Sequence, residues 1–348
     1  MMRFEEVNGM LRELVEEDIV DQILVLKPVG QGVVHALVED VNALSDASPF
    51  APLMPVNGAT IVSQITRLTP SEKRIGVVLR PCEIRTLIEL VKLKQASLEN
   101  IFVIGIDCPG TYSLSDYKRL VDEGVDPIEK LGKDPPLSTA CRVCERFEPQ
   151  NFDLALSTFG SDKVYLRYGS ERGKAALEKL GRWGEGDKER GKDRERDVSQ
   201  IRERKLKAWS DLSGDVSKMG LDKLDHTLST CINCYNCMAV CPICYCQECI
   251  FKSSTFRYES DKYARWVKRK GSFRVPADTL LFHLTRMNHV SMSCTACGMC
   301  EQACPSDIPL LGIFKLTSQG AQKLFDYEAG RSIDEEIPLV VYEEEEFE

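Results

Sequence analysis

The sequence lacks the segments that would direct a chain into or across a membrane. Residues 1–22 are acidic and amphipathic, without an apolar signal core or a small-residue cleavage site. No stretch approaches the roughly 18 uninterrupted apolar residues of a membrane span. These absences predict a cytoplasmic protein.

The chain also has no excess of positive charge and few histidines. The formal net charge is −9, which argues against nucleic-acid or anionic-membrane partners, since these usually select a basic surface. We find no Ser-His-Asp arrangement and no phosphate-binding Walker loop. The four histidines show no paired ligand spacing, so we predict that they are structural or lie on the surface: His35, His226, His283 and His289.

Cysteine is the exception, because the chain contains 15. The cysteines are clustered, and most lie between residues 226 and 305. In a secreted protein such a count would suggest a disulfide framework. Without a signal peptide, a reducing compartment with metal-bound thiolates fits better.

Two segments repeat the pattern C-x2-C-x2-C-x3-C-P, the spacing of bacterial two-cluster ferredoxins. Three closely spaced thiolates can wrap one face of a 4Fe–4S cubane, and the proline turns the chain away after the fourth cysteine. In two-cluster folds that fourth cysteine binds the other cluster. We therefore predict one cluster on Cys231, Cys234, Cys237 and Cys304, and another on Cys294, Cys297, Cys300 and Cys241.

Zinc is the alternative metal, but it prefers pairs of C-x2-C in a tetrahedron, and the repeated four-cysteine pattern with its proline argues against it. Met238, Val240 and Met299 are predicted to shield the sulfurs from water. About 50 residues separate the motifs, more than a compact ferredoxin uses, and they contain Cys244, Cys246 and Cys249. These thiols are either free and buried or part of a further metal or redox site.

The first half predicts an α/β layer, with buried strands at 75–79 and 101–106 and an amphipathic helix at 83–94 between them. Parallel strands would bring Cys82 and Cys108 to the same sheet edge, where α/β folds bind ligands. Cys141 and Cys144 form a further C-x2-C pair. Together these four could hold a third 4Fe–4S cluster, or they are two buried thiols and an isolated pair.

Composition suggests four segments. Residues 1–169 form the α/β domain, 170–225 a charged helical linker, 226–312 the ferredoxin domain with its insertion, and 313–348 an extension with an acidic tail. The mostly charged stretch 188–207 is predicted to be a solvated helix, with a docking surface as the alternative.

These residues also carry a family resemblance. The segment 80–85 resembles the "PC-[QE]-I-x-A" turn of the coenzyme F-420 hydrogenase/dehydrogenase beta subunit family, although Thr86 replaces the alanine. The segment 104–108 resembles its "I-G-x-x-C". Segments 49–57, 241–249 and 329–339 resemble the formate dehydrogenase branch. The simplest hydrogenase beta subunits carry one cluster and lack the ferredoxin pair found in this chain.

The resemblance implies an α/β N-terminal flavin and cluster domain plus a bacterial-type two-[4Fe–4S] ferredoxin domain of the α+β class. The resemblance implies that the flavin is FAD. A flavin is needed in principle because a hydride brings two electrons and a cluster accepts one. Candidate cofactor contacts are Asn57, Arg80, Glu83, Arg85 and Lys92, and each could equally be an ordinary turn or surface residue.

The function implied is an oxidoreductase subunit that exchanges electrons between coenzyme F-420, or a similar hydride carrier, and a catalytic partner. That partner would be a formate dehydrogenase alpha, hydrogenase or heterodisulfide reductase subunit. The alternative is a flavin-free subunit that only connects two other redox subunits. Bound flavin distinguishes the two hypotheses.

Overall fold

The computed structural model describes residue 2 and residues 6–131, 135–161, 163–182, 188–256, 260–271 and 277–339. For residues 188–191, 260, 262, 263 and 277 the description covers the backbone only. The predicted acidic tail lies outside the described residues.

A six-stranded mixed sheet in the order β2-β1-β3-β4-β5-β6 forms the first half. The central pairs β1–β3, β3–β4 and β4–β5 are parallel, whereas β1–β2 and β5–β6 are antiparallel. The predicted α/β layer is therefore confirmed. The strands are β1 (Gln22–Val29), β2 (Gly32–Val38), β3 (Ile75–Leu79), β4 (Ile101–Ile106), β5 (Leu154–Ser157) and β6 (Tyr165–Tyr168).

Fourteen α-helices lie in the described part of the chain. They are α1 (Val7–Glu16), α2 (Gly58–Thr66), α3 (Pro81–Lys92), α4 (Leu114–Asp122), α5 (Pro127–Lys130), α6 (Thr139–Arg142), α7 (Glu171–Lys179), α8 (Lys188–Ser217), α9 (Leu221–Leu228), α10 (Asn236–Ala239), α11 (Ser260–Lys270), α12 (Ala277–Val290), α13 (Met299–Gln302) and α14 (Leu310–Leu324).

Helix α3 begins two residues before the predicted position, at Pro81. Proline suits the first helical position because its missing N–H would have no partner there and its φ is already helical. The Glu83 carboxylate accepts a 2.8 Å hydrogen bond from the Arg80 backbone N–H. This closes the helix N-terminus directly after β3, so Cys82 lies in the first turn.

The two faces of the sheet are covered by different layers. On one face α1 and α7 pack against β1, β4 and β5 through a core that includes Leu11, Ile104 and Leu177. On the other face, α2 and α3 share a continuous core with the cysteine-rich segment, where Leu79 and Leu87 belong to the same cluster as Phe282 and Phe314. The predicted ferredoxin segment is therefore packed onto the sheet domain through apolar side chains.

The described part of residues 226–312 contains helices and turns but no strand. The predicted α+β class for this half is therefore wrong in its strand content. Helix α12, from the insertion between the motifs, contacts both α9 and α14. These helices satisfy their own backbone hydrogen bonds and cover the cysteine turns without strand pairing.

The charged helix α8 has a buried stripe that the prediction of a solvated helix missed. Val198, Lys205 and Trp209 are less than 10% exposed, and with Arg194 they recur at helical spacing. Val198 packs against Phe147 and Phe159, and Trp209 packs against Ala140 and Val143. The helix therefore covers the loop that carries Cys141 and Cys144.

Candidate iron–sulfur centre

The sheet edge brings two of the predicted cysteines together. Strands β3 and β4 run parallel in a register that pairs Leu79 with Gly105, so Cys82 and Cys108 follow their strands at the same edge. Burial, together with the nearby Cys141, raises the pKa of the Cys108 thiol to about 12. Burial also raises the pKa of Cys82, with contributions from Glu83 and Cys108.

The C-x2-C pair lies against this edge. The Cys141 sulfur accepts a hydrogen bond from the Thr111 backbone N–H at 3.2 Å and lies 3.3 Å from the Thr111 hydroxyl. Cys144 is among the charges that raise the pKa of both Cys82 and Cys108. The structure thus places the four cysteines of the predicted third cluster next to one another.

Two lysines that sequence reasoning missed hold this loop through its carbonyl oxygens. Lys205, on α8, donates to the Cys141 carbonyl at 2.8 Å. Lys315, on α14, donates to the Val143 carbonyl at 2.6 Å and to the Glu145 carboxylate at 2.9 Å. Both are buried, and only the helical stripe on α8 could have indicated one of them.

Two cavities border these cysteines. One of about 240 Å³ is lined by Arg80, Asp107, Cys108 and Phe159 and is mostly apolar. Pockets that enclose a drug-sized ligand span about 300–1,000 Å³, so this cavity would enclose only part of a dinucleotide such as FAD. The other cavity, of about 320 Å³, lies between Cys144 and Cys294 and has Arg85 in its wall.

The candidate contacts Asn57, Arg80 and Glu83 are buried, and their side chains have hydrogen-bond or ionic partners within the protein. Arg80 donates to the Ala51 and Leu53 carbonyls at 2.6 and 2.9 Å. Burial alone would raise the pKa of Glu83, but the Arg80 charge and hydrogen bonds lower it to about 2. The Asn57 side chain accepts from the Ala59 N–H at 3.1 Å and begins α2.

Arg85 and Lys92 contact the C-terminal segment instead. Arg85 donates to the Ala329 carbonyl at 2.9 Å. The Lys92 ammonium lies 2.7 Å from Glu89 and donates to the Tyr327 hydroxyl at 2.6 Å. Both side chains therefore have protein partners.

The first ferredoxin motif surrounds a small cavity. Its walls include Cys231, Cys234 and Cys237 together with Cys304 from the second motif. Burial raises the pKa of Cys231 and Cys237, and the charge of Cys304 contributes to both shifts. The structure thus brings together the four predicted ligands, including the one that crosses over.

The second motif has the complementary neighbour. Burial raises the pKa of the Cys294, Cys297 and Cys300 thiols, and the charge of Cys241 raises each of them further. Burial and sulfur-rich surroundings suit a polyanionic cluster whose potential depends on solvent exposure. Met238 and Met299, two of the predicted shielding residues, are 7% and 4% exposed.

Both motifs adopt the same unusual backbone turn. The residues directly before and after the middle cysteine have left-handed φ values, 53° and 60° at Asn233 and Tyr235, and 55° and 78° at Ala296 and Gly298. L-residues rarely adopt this conformation. Each turn wraps the chain around Cys234 or Cys297 and leads into a short helix, α10 or α13.

The second motif lies next to the sheet edge. Cys297 is among the charges that raise the pKa of Cys82. The Thr86 and Thr295 hydroxyls lie 2.8 Å apart. The three sets of cysteines therefore follow one another from the sheet edge to the second motif and on to the first.

The insertion contributes His283, which the sequence analysis predicted to be structural or to lie on the surface. His283 is 1% exposed, and its Nε2 lies 3.4 Å from the Cys231 sulfur. Burial and the charge of Arg286 lower the pKa of His283 to about 4, so the ring is neutral at pH 7. The residue is buried as a structural histidine would be, but it also contacts a predicted ligand.

The insertion cysteines differ in exposure. Cys246 is exposed, which disagrees with the buried-thiol alternative at that position, whereas Cys244 and Cys249 are half-buried. No group of three or more His, Cys, Asp or Glu side chains within the described ranges is spaced to hold a single metal ion. Across those same ranges, none of the helices has the length and apolar character needed to span a membrane.

The chain is similar to a protein-family model and to curated proteins. Residues 226–308 match the family model "4Fe-4S dicluster domain". The chain is 26% identical to "F420-dependent formate dehydrogenase subunit beta" of Methanocaldococcus jannaschii, covering 95% of this chain and 92% of that protein. It is 24% identical to "F420-dependent formate dehydrogenase 1 subunit beta" of Methanococcus maripaludis, covering 95% and 91%.

Among solved structures, a chain of the F420-reducing [NiFe] hydrogenase complex from Methanosarcina barkeri aligns with a TM-score of 0.45 at 11% identity, over 62% of this chain and 87% of that one. The two curated relatives align along 95% of this chain. The predicted resemblance is confirmed: over about 95% of its length this chain is similar to curated beta subunits of F420-dependent formate dehydrogenases, and it carries a 4Fe–4S dicluster domain.

Proposed function

We propose that this chain exchanges electrons between coenzyme F-420, or a similar hydride carrier, and a catalytic partner such as a formate dehydrogenase alpha subunit. Hydrogenase and heterodisulfide reductase subunits are the other partners of this kind. One observation carries the proposal: three sets of four cysteines follow one another from the cavity beside Cys108 to the first ferredoxin motif.

Each set would hold a 4Fe–4S cluster, which supplies one-electron transfer when bound. The first set is Cys82, Cys108, Cys141 and Cys144, the second is Cys294, Cys297, Cys300 and Cys241, and the third is Cys231, Cys234, Cys237 and Cys304. Beside the first set, Thr111 donates to Cys141 from its backbone N–H, and beside the second set the Asn57 side chain opposes the burial that raises the pKa of Cys297. Such donors stabilise thiolates and raise the reduction potential of a cluster.

The cavity of about 240 Å³ is the candidate site for a hydride carrier or a flavin, which we propose to be FAD. Arg80 holds the loop at Ala51 and Leu53 over this cavity, and Asp107 closes the end of β4. The apolar wall excludes water next to Cys108. In this arrangement Arg80 and Asp107 fix the shape of the cavity, and the apolar side chains limit the access of water to it.

The flavin-free alternative is favoured by a specific observation. Arg80, Glu83 and Lys92 all have protein partners, and the cavity is small for a whole FAD. Flavin released from the anaerobically isolated chain, together with F-420-dependent dye reduction, supports the first function. A preparation with full iron content and no flavin supports the second.

Iron content tests the clusters separately. Three cubanes require about twelve irons per chain and two require about eight. We expect about twelve, and we expect Cys108→Ala to lose about four of them, because one thiolate corner of the sheet-edge site is removed. Cys246→Ala is the matched control, since this exposed thiol belongs to none of the three sets. About eight irons in the unmodified chain would refute the sheet-edge cluster.

A further inference from the structure

A buried arginine on the insertion helix lies between the two ferredoxin motifs. Arg286, on α12, is 4% exposed. Its guanidinium lies 4.6 Å from the centre of the Phe314 ring and 6.0 Å from that of Phe282. Both distances lie within the range of a cation–π interaction.

This guanidinium lacks the partners that a buried charge needs. Its Nε and Nη1 atoms have no hydrogen-bond partner among the residues that the structure describes. Burying an ionised group without a compensating charge costs several kcal/mol, so native proteins pair such groups. Arginine cannot escape this cost by losing its proton. The site therefore calls for an anion.

The surroundings of Arg286 indicate which anion. Burial lowers the pKa of Arg286, but the negative charges of neighbouring sulfurs, foremost Cys241, Cys237 and Cys300, more than offset this and raise it. Cys237 belongs to the first predicted cluster, whereas Cys241 and Cys300 belong to the second. Cys241 and burial raise the pKa of Cys244, and the positive charge of Arg286 opposes this rise, so this insertion cysteine lies near the same guanidinium.

We propose that Arg286 is a shared counter-cation for the two ferredoxin clusters, which raises the reduction potential of both. The inference rests on the cluster content of the proposed function. A cubane with four thiolates is a polyanion and gains one more negative charge on reduction, so a fixed nearby cation favours the reduced state. The free Nε and Nη1 donors would point to cluster or thiolate sulfur.

The proposal assigns a role to the insertion between the motifs. A compact ferredoxin links its motifs with few residues, whereas this chain adds α12 and places His283 and Arg286 one turn apart toward the cysteines. Both side chains contact or face sulfur. Arg286 acts through the clusters, so it is a positioning residue and not a catalytic one.

The test is an EPR-monitored redox titration of the full chain with its clusters. Arg286→Gln is expected to lower the reduction equilibrium constant of both ferredoxin clusters about tenfold, which is about 59 mV for one electron. Iron content should stay the same. Arg265→Gln is the matched control, because this arginine lies in the same insertion but is exposed and paired with Asp261 at 2.7 Å. The control should leave both potentials unchanged.

Arg286→Lys serves if the glutamine variant does not accumulate in folded form. It keeps the charge but loses the planar fork of donors, so we expect a smaller fall, about threefold. Wild-type potentials in a fully loaded Arg286 variant would overturn this inference alone. A wild-type chain without two 4Fe–4S signals would overturn the proposed function and this inference with it.

Discussion

Removing the Arg194 side chain should release the charged helix α8 from the sheet edge. Arg194 donates to the fully buried Asp107 carboxylate, with an Nη2 distance of 3.0 Å and a shorter Nη1 contact, and to Glu148 at 2.8 Å. Breaking a buried ion pair by removing one partner costs about 3–5 kcal/mol. The Asp107 carboxylate would keep hydrogen bonds from the Thr158 and Phe159 N–H groups. We therefore expect Arg194→Met to cost about 3 kcal/mol.

Thermal unfolding of the anaerobic holoprotein measures this cost. With an unfolding entropy of about 2.1 cal/mol/K per residue, 3 kcal/mol corresponds to a fall in Tm of about 4 °C for this chain. Arg196→Met is the control, because Arg196 lies on the same helix with its side chain 65% exposed and is paired only with Asp193. An exposed pair contributes about 0–1 kcal/mol, so the control should move Tm by about 1 °C or less.

A double-mutant cycle isolates the pair. Once Asp107→Asn has removed the buried charge, Arg194→Met should cost much less, leaving a coupling energy of about 2 kcal/mol or more. Equal losses for Arg194→Met and Arg196→Met, or a coupling energy near zero, would refute the reasoning. In that case α8 would be a solvated helix after all.

Two further predictions concern the junction between the halves and its acid sensitivity. Gly298→Ala should lower the free energy of unfolding more than Gly124→Ala does. Both glycines have left-handed φ, but only a Cβ at position 298 would overlap the Ala140 Cβ. Chemical unfolding of both variants measures the difference, and equal losses of stability would contradict it. The folded pKa of Glu83 is lowered from 4.5 to about 2, so its contribution is present above about pH 4.5 and is lost as pH falls toward 2. Glu83→Gln should flatten this pH dependence in urea titrations, and an unchanged slope would contradict the assignment.

The parts of the fold that depend on local signals were predictable. Strands β3 and β4 are uninterrupted apolar runs, and their bounds agree with the prediction. The two ferredoxin motifs were equally clear, because cysteine spacing is a local property. The placement of Cys82 and Cys108 at one sheet edge followed from the parallel order of the strands alone.

The residues that sequence reasoning missed depend on long-range packing. His283 meets Cys231 across a separation of 52 residues, and nothing in the helix pattern of α12 indicates which side chains it faces. Arg194 and Lys205 lie in a mostly charged stretch, where an arginine that meets a buried carboxylate has the same sequence signature as a solvated one. The structure gives each of the five candidate cofactor contacts a protein partner. Their role as cofactor contacts stays a prediction.

The core that joins Leu79 and Leu87 to Phe282 and Phe314 has a consequence for biosynthesis. A nascent chain that ends near residue 182 has its complete sheet, but the apolar face of α2 and α3 has no cover until the distant α12 and α14 have been synthesised. Neither half can then finish folding on the ribosome by itself. Cluster loading and closure of the core therefore belong to the same late step, and a chain truncated between the motifs should be a substrate for chaperones and proteases.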